Sequence, residues 1–135
     1  MKYSAHLFYS ACLLFLSGGV PSQEAQDHAL SEIEISYTYS DGGAVTLTLD
    51  NGKLGYLWTA GPFEGTEVHG LDYYSKELAD SLYFVSWHDP ENKNFVTLIF
   101  DLDRMIEYGT ALIGYDTETE TTLFDEARID EIKIL

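Results

Sequence analysis

The chain has 135 residues, enough for one domain, and its 23 acidic against 7 basic residues give a formal net charge of -16. That balance excludes phosphate-backbone binding, which needs cationic neutralisation, and disfavours an anionic membrane surface for the same reason; its plain consequence is solubility. Aromatic residues make up 14% of the chain, with ten Tyr, seven Phe and two Trp, a content that suits a β-core or a ligand cavity lined with rings.

Residues 1–22 follow the three-part plan of a secretory signal peptide. Met1-Lys2 is a positive start, Tyr3 to Leu16 is mostly apolar, and Ser17 to Ser22 is small and turn-forming, with cleavage after Gly19 or Ser22. The apolar run is too short to span a bilayer. Cys12, the sole cysteine, sits in the middle of that run rather than closing it, as a lipidated cysteine would. Beyond the leader there is no thiol, so neither a disulfide nor thiolate chemistry is available and the core must hold the fold. The expectation is a periplasmic or secreted domain of about 113 residues, ample for one core.

Residues 23–31 are polar and read as a flexible lead-in, and residues 32–135 as the folded domain. From Glu32 the pattern becomes strict alternation: Ile33, Ile35, Tyr37 and Tyr39 on one face, Glu34, Ser36 and Thr38 on the other, which predicts a half-buried strand. After the turn Ser40-Asp41-Gly42-Gly43, Val45, Leu47 and Leu49 alternate with Thr46 and Thr48. Asn51-Gly52 is a strong hairpin signal, because both positions accept the positive φ of a tight turn. Leu54, Tyr56 and Trp58 form the next inward set, and Gly61-Pro62-Phe63-Glu64-Gly65 breaks the pattern.

Thr66 to Tyr74 reads as a strand with His69, Leu71 and Tyr73 on one face, and Lys76 to Asp80 as a short linker. A central hairpin follows: Ser81 to Trp87, the turn signal His88-Asp89-Pro90-Glu91-Asn92, and Asn94 to Leu102. Arg104 to Tyr115 reads as a long strand with Gly109 and Gly114 as bends, Asp116 to Thr122 as an acidic loop, and Ile129 to Leu135 as a closing strand; Leu123 to Ala127 is ambiguous. The fold class is all-β: an antiparallel barrel of eight to nine strands, since closure removes exposed edges. A barrel of that size holds side chains or one small ligand.

Tyr37 and Tyr39 can serve as cavity hydroxyls or as plain core rings. In the central strand Tyr83, Val85 and Trp87 share one face and Leu82, Phe84 and His88 the other. His69 with Asp101 forms an acid-base pair only if folding joins them; His88 beside Asp89-Pro90 reads as a turn residue. Asp101 and Glu107 fall near inward strand positions, where a carboxylate is costly unless paired. No zinc spacing, calcium loop, phosphate loop, dinucleotide fingerprint or nucleophile elbow is present, so no metal and no cofactor is expected.

Trp58-Thr59-Ala60-Gly61-Pro62-Phe63-Glu64-Gly65, then Leu82 to Trp87, then Val96-Thr97-Leu98-Ile99-Phe100-Asp101-Leu102 together resemble the MoaF-like domains, small calycin-type (lipocalin-like) barrels. The resemblance covers roughly Tyr39 to Ile134 and implies that the Tyr83–Trp87 set points inward. The arrangement is also similar to the phenolic acid decarboxylases: Tyr37-Thr38-Tyr39 matches their early tyrosine pair, and Asp80 stands where they carry Glu. Their catalytic Arg has no counterpart here. The expectation is a small-molecule-binding barrel with Tyr37, Tyr39, Trp58, Tyr83 and Trp87 as walls and His69 and Asp101 as polar groups. A lyase built on Tyr37, Tyr39 and Asp80 and an interaction protein with a filled barrel are the alternatives. Expected partners are a small ligand and, optionally, a second copy, with no nucleic acid and no membrane after leader removal.

Overall fold

The structure, a computed structural model, describes residues 28–135; the leader, Cys12 and the first part of the lead-in lie outside them. Eight strands follow in order: β1 (Ile33–Tyr39), β2 (Ala44–Asp50), β3 (Lys53–Ala60), β4 (Glu67–Ala79), β5 (Leu82–Asp89), β6 (Asn94–Asp101), β7 (Ile106–Ile113) and β8 (Thr121–Ile134). Each pairs antiparallel with its chain neighbour, and β8 returns to β1 to close the barrel. The alternation predicts this closure: every strand carries an apolar face that one tube can bury, and a closed sheet has no edge to protect.

The core lies inside the tube. Ile33, Ile35 and Tyr37 of β1 face Leu49, Leu47 and Val45 of β2 in register, and all six are buried. Leu30, Leu54, Tyr73, Val85, Trp87, Leu98, Phe100, Ala127 and Ile129 complete the cluster. The Asn51-Gly52 hairpin forms with both residues at positive φ, 49° and 72°, the twist that suits a two-residue connection. The β2–β3, β4–β5 and β6–β7 turns share one end of the barrel. The other end carries the β1–β2 turn and the Gly61–Thr66 loop, which touch. A Cβ on Gly61 would come within 2.7 Å of Gly43 Cα, so only glycine fits, and its φ of 89° needs one as well.

Several elements differ from expectation. The lead-in is not loose throughout: His28 bridges Ser75 of β4 in parallel, and Leu30 is buried. β3 pairs with β4 only as far as Asp72, so the rest of that edge is free to bind a segment. Leu30 N–H donates to Ser75 Oγ at 2.9 Å, and Tyr73 Oη donates to the Leu30 carbonyl at 3.0 Å. Lys76 to Ala79 is not a linker but the end of β4, paired to β5. β7 begins at Ile106 rather than Arg104, because Met105, at φ 57°, ends a turn that Asp101 caps by accepting the Arg104 N–H. The ambiguous Leu123–Ala127 stretch and the closing strand are one element, the 14-residue β8.

One change of phase, in β4, decides where a candidate residue points. Leu54 pairs with Leu71, yet Tyr56 pairs with Val68: β4 carries one extra residue, a β-bulge at His69-Gly70, with Gly70 at φ 76°. Counting by twos through it puts His69 on the inner face; the extra residue turns it out.

The docked N-terminal segment predicts an outcome. Leu30→Ala should destabilise by about 2–5 kcal/mol, as for a buried leucine, whereas Phe124→Ala, at a side 81% exposed, should change stability by less than about 0.5 kcal/mol. Urea unfolding of the two variants beside the parent checks this.

Candidate functional site

A run of aromatic rings leads from the Gly61–Thr66 end of the barrel into the core. Phe63, on the Gly61–Thr66 loop and 54% exposed, packs on Trp58 with ring centroids 5.1 Å apart. Trp58 stacks on Tyr39 at 5.9 Å, Tyr39 meets Tyr37 edge-on at 5.6 Å, and Tyr37 meets Phe100 at 5.9 Å. Alternation on β1 sends Tyr37 and Tyr39 to one face, and the Gly43–Gly61 contact holds the Phe63 loop over Trp58. The rings are offset or tilted, the arrangement that their quadrupoles favour.

The run ends beside a carboxyl group. On β7, Glu107 pairs with Phe100 on one side and Ala127 on the other, and Ala127 pairs with Tyr39. Tyr83, Phe100, Glu107, Ala127 and Tyr39 therefore form one row across five strands. Glu107 is fully buried. Neither of its oxygens has a hydrogen-bond partner among the described residues. Its carboxyl folds over Gly109, where a Cβ would lie 2.5 Å from Oε1; the glycine supplies the space.

Burial, reinforced by the negative Asp125 and Glu126, pushes the Glu107 carboxyl up to about 8. At neutral pH it is mainly the neutral acid, an O–H donor and carbonyl acceptor rather than a charge. Burial likewise raises the Tyr37 and Tyr39 hydroxyls, and the proximity of Glu107 raises both further. The three groups thus present neutral donors in an apolar setting.

The expected site residues divide. Tyr37 is buried in the core, Tyr39 and Trp58 pack against it from the Gly61–Thr66 end, and Tyr83 and Trp87 lie on the inner side of β5. Trp87 is buried and its Nε1 has no partner among the described residues. His69 is outside: its ring is mostly exposed and is bonded to Glu67 Oε1 at 2.7 Å. Asp101 alternates with inward Phe100 and so lies off the inner face, where it caps the turn and faces Arg104 at 3.6 Å. His69 and Asp101 are not brought together in the interior. Asp80 is exposed in the β4–β5 turn, whereas Tyr37 is buried. Among the described residues no group of three His, Cys, Asp or Glu side chains converges as a metal site.

A cleft of about 580 Å³ lies apart from that run of rings, where β4 and β5 part beyond the Tyr73–Trp87 pair. Leu71, Tyr73, Trp87, His88 and Phe95 line it. Asp89, buried at this end, is already satisfied by Asn92 and Tyr56, and His88 bonds Tyr115 Oη at 2.7 Å.

No family model matches the chain, and no curated protein matches it. Solved structures do match. One is the crystal structure of "a putative beta-lactamase from Burkholderia vietnamiensis", with a TM-score of 0.64 and 13% identity, covering 78% of this chain and 94% of that one. At that identity the likeness shows the shared barrel fold alone.

The Glu107 acid couples stability to pH. Its folded pKa, about 8, lies above its ordinary value of 4.5, so between these limits the folded state binds more proton than the unfolded one. Its contribution is complete below about pH 4.5 and is lost as pH rises through 8. The stability of the parent minus that of Glu107→Gln should fall by up to about 1.4 kcal/mol per pH unit in that window and be flat outside it. Denaturant unfolding of both proteins from pH 4 to 9 measures the difference.

Proposed function

We propose that this protein is an exported small-molecule-binding barrel of the MoaF-like, calycin type, taking a partly apolar ligand against its inner aromatic rings. The observation that carries the reading is the unbroken run from exposed Phe63 through Trp58, Tyr39 and Tyr37 to Phe100 and to Glu107, which has no partner among the described residues. Natural interiors seldom leave a buried carboxyl without a partner, because its desolvation is then uncompensated; a ligand's polar group supplies one. The rings give apolar area, and the Tyr37, Tyr39 and Glu107 hydroxyls give direction. The closed eight-stranded barrel and its likeness to a solved barrel support the architecture, and the order of the Trp58, Leu82–Trp87 and Val96–Leu102 motifs supports the family. The three-part pattern of residues 1–22 supports export to the periplasm or the exterior.

Binding is read from Trp58 and Trp87, the two tryptophans of the chain. Titration with small aromatic alcohols, carbonyls, amines and carboxylates should give a saturable emission change with at least one class. Trp58→Phe should remove the larger part of the signal and weaken binding by about 0.5–1.5 kcal/mol, the worth of an aromatic contact. A flat response across all four classes overturns the reading.

A further inference from the structure

We propose that the interior site is built for a cation, and that Glu107 is the counter-ion of a small ammonium ligand held among the aromatic rings. The proposal rests on the ligand-binding reading above and narrows its ligand class. Four observations carry it. Glu107 is wholly buried with both oxygens unpartnered among the described residues, and it is the only buried carboxylate in that condition, since Asp89 is bonded to Asn92. No cation stands among its described neighbours. Asp125 and Glu126 of β8 are acidic, Tyr37 and Tyr39 of β1 are phenols, and its β6 neighbours Leu98 and Phe100 are apolar. Both arginines beyond the leader are engaged elsewhere, Arg104 with Asp101 and Arg128 with Asp130.

The surroundings also select by charge. Tyr37, Tyr39, Trp58 and Phe100 offer ring faces, which attract cations and are indifferent or hostile to anions. Asp41 and Asp125 add negative potential near Tyr39, and a net charge of -16 concentrates cations around the barrel and repels carboxylates. A carboxylate ligand would meet a carboxyl and no cation; an ammonium would meet its complement.

The ion pair needs the carboxylate, while the free site holds the acid near neutrality. Binding of a permanent cation therefore releases one proton from Glu107 to solvent, and the cation replaces the proton as its partner. Affinity should rise with pH, approaching about tenfold per unit below pH 8 and levelling above it.

The test uses four probes of one shape on the full folded protein: benzyltrimethylammonium, benzylamine, benzyl alcohol and phenylacetate. Calorimetry at pH 6.5 in two buffers of different ionisation enthalpy should show binding of benzyltrimethylammonium with release of close to one proton. Phenylacetate should bind at least about tenfold more weakly, and Glu107→Gln should lose at least about tenfold in affinity for benzyltrimethylammonium while keeping benzyl alcohol. The proton count on the parent protein decides the matter even if the variant folds poorly. Binding of benzyl alcohol or phenylacetate without the ammonium probes, or ammonium binding with no proton released, overturns the cation proposal and leaves the binding barrel standing. Silence with all four probes overturns both.

Discussion

The ladder between β1 and β8 is the constraint on which the rest depends. It runs from Ile33 opposite Ile134 to Tyr39 opposite Ala127 and converts an eight-strand meander into a tube. Its register slips once: Ser36 pairs with Glu131 and Tyr37 with Ile129, so Asp130 is extra. The slip lets Ile129 and Ile132 both serve the core, although they stand three positions apart, and leaves Asp130 outside, where Thr38 and Arg128 donate to it. Those donors hold its carboxyl below the ordinary range. Without this ladder, the row that joins Glu107 to Tyr39 through Ala127 would not exist, because it crosses the seam.

The interior pays a cost to keep Glu107. A leucine there would be satisfied by its apolar neighbours, whereas a carboxyl must either stay protonated or be ionised without a partner. The side chain persists with Gly109 cleared beneath it, so sheet propensity is surrendered twice for one acid. Local disagreement of this kind is expected where a site, rather than the fold, sets the residue.

The barrel was legible because alternation is a short-range signal: Ile33–Tyr39 and Val45–Leu49 state their inner faces without reference to any other residue. The Asn51-Gly52 turn was legible for the same reason. What sequence counting missed depends on partners. The extra residue at His69-Gly70 shows only against Tyr56 and Leu54 across the ladder, and it moves His69 from the inner to the outer face. Lys76–Ala79 reads as polar linker because its strand character comes from β5. Leu30 reads as lead-in because its place is an edge that β3 leaves free. Tyr37, Tyr39 and Trp58 follow from rhythm alone, whereas on β5 rhythm only separates two faces and the choice of the Tyr83–Trp87 face comes from the resemblance. Glu107 was visible as a carboxylate in an apolar strand, but only the structure distinguishes it from Asp101, one residue out of phase on β6.

The anchoring of His28–Leu30 along β4 fixes a polarity on the whole particle. That segment sits with the Asn51-Gly52 turn, where His28 approaches Gly52, at the pole opposite Phe63 and Trp58. A probe fixed at residue 28 would thus stand at the base of the barrel, with the exposed Phe63 ring at the far rim.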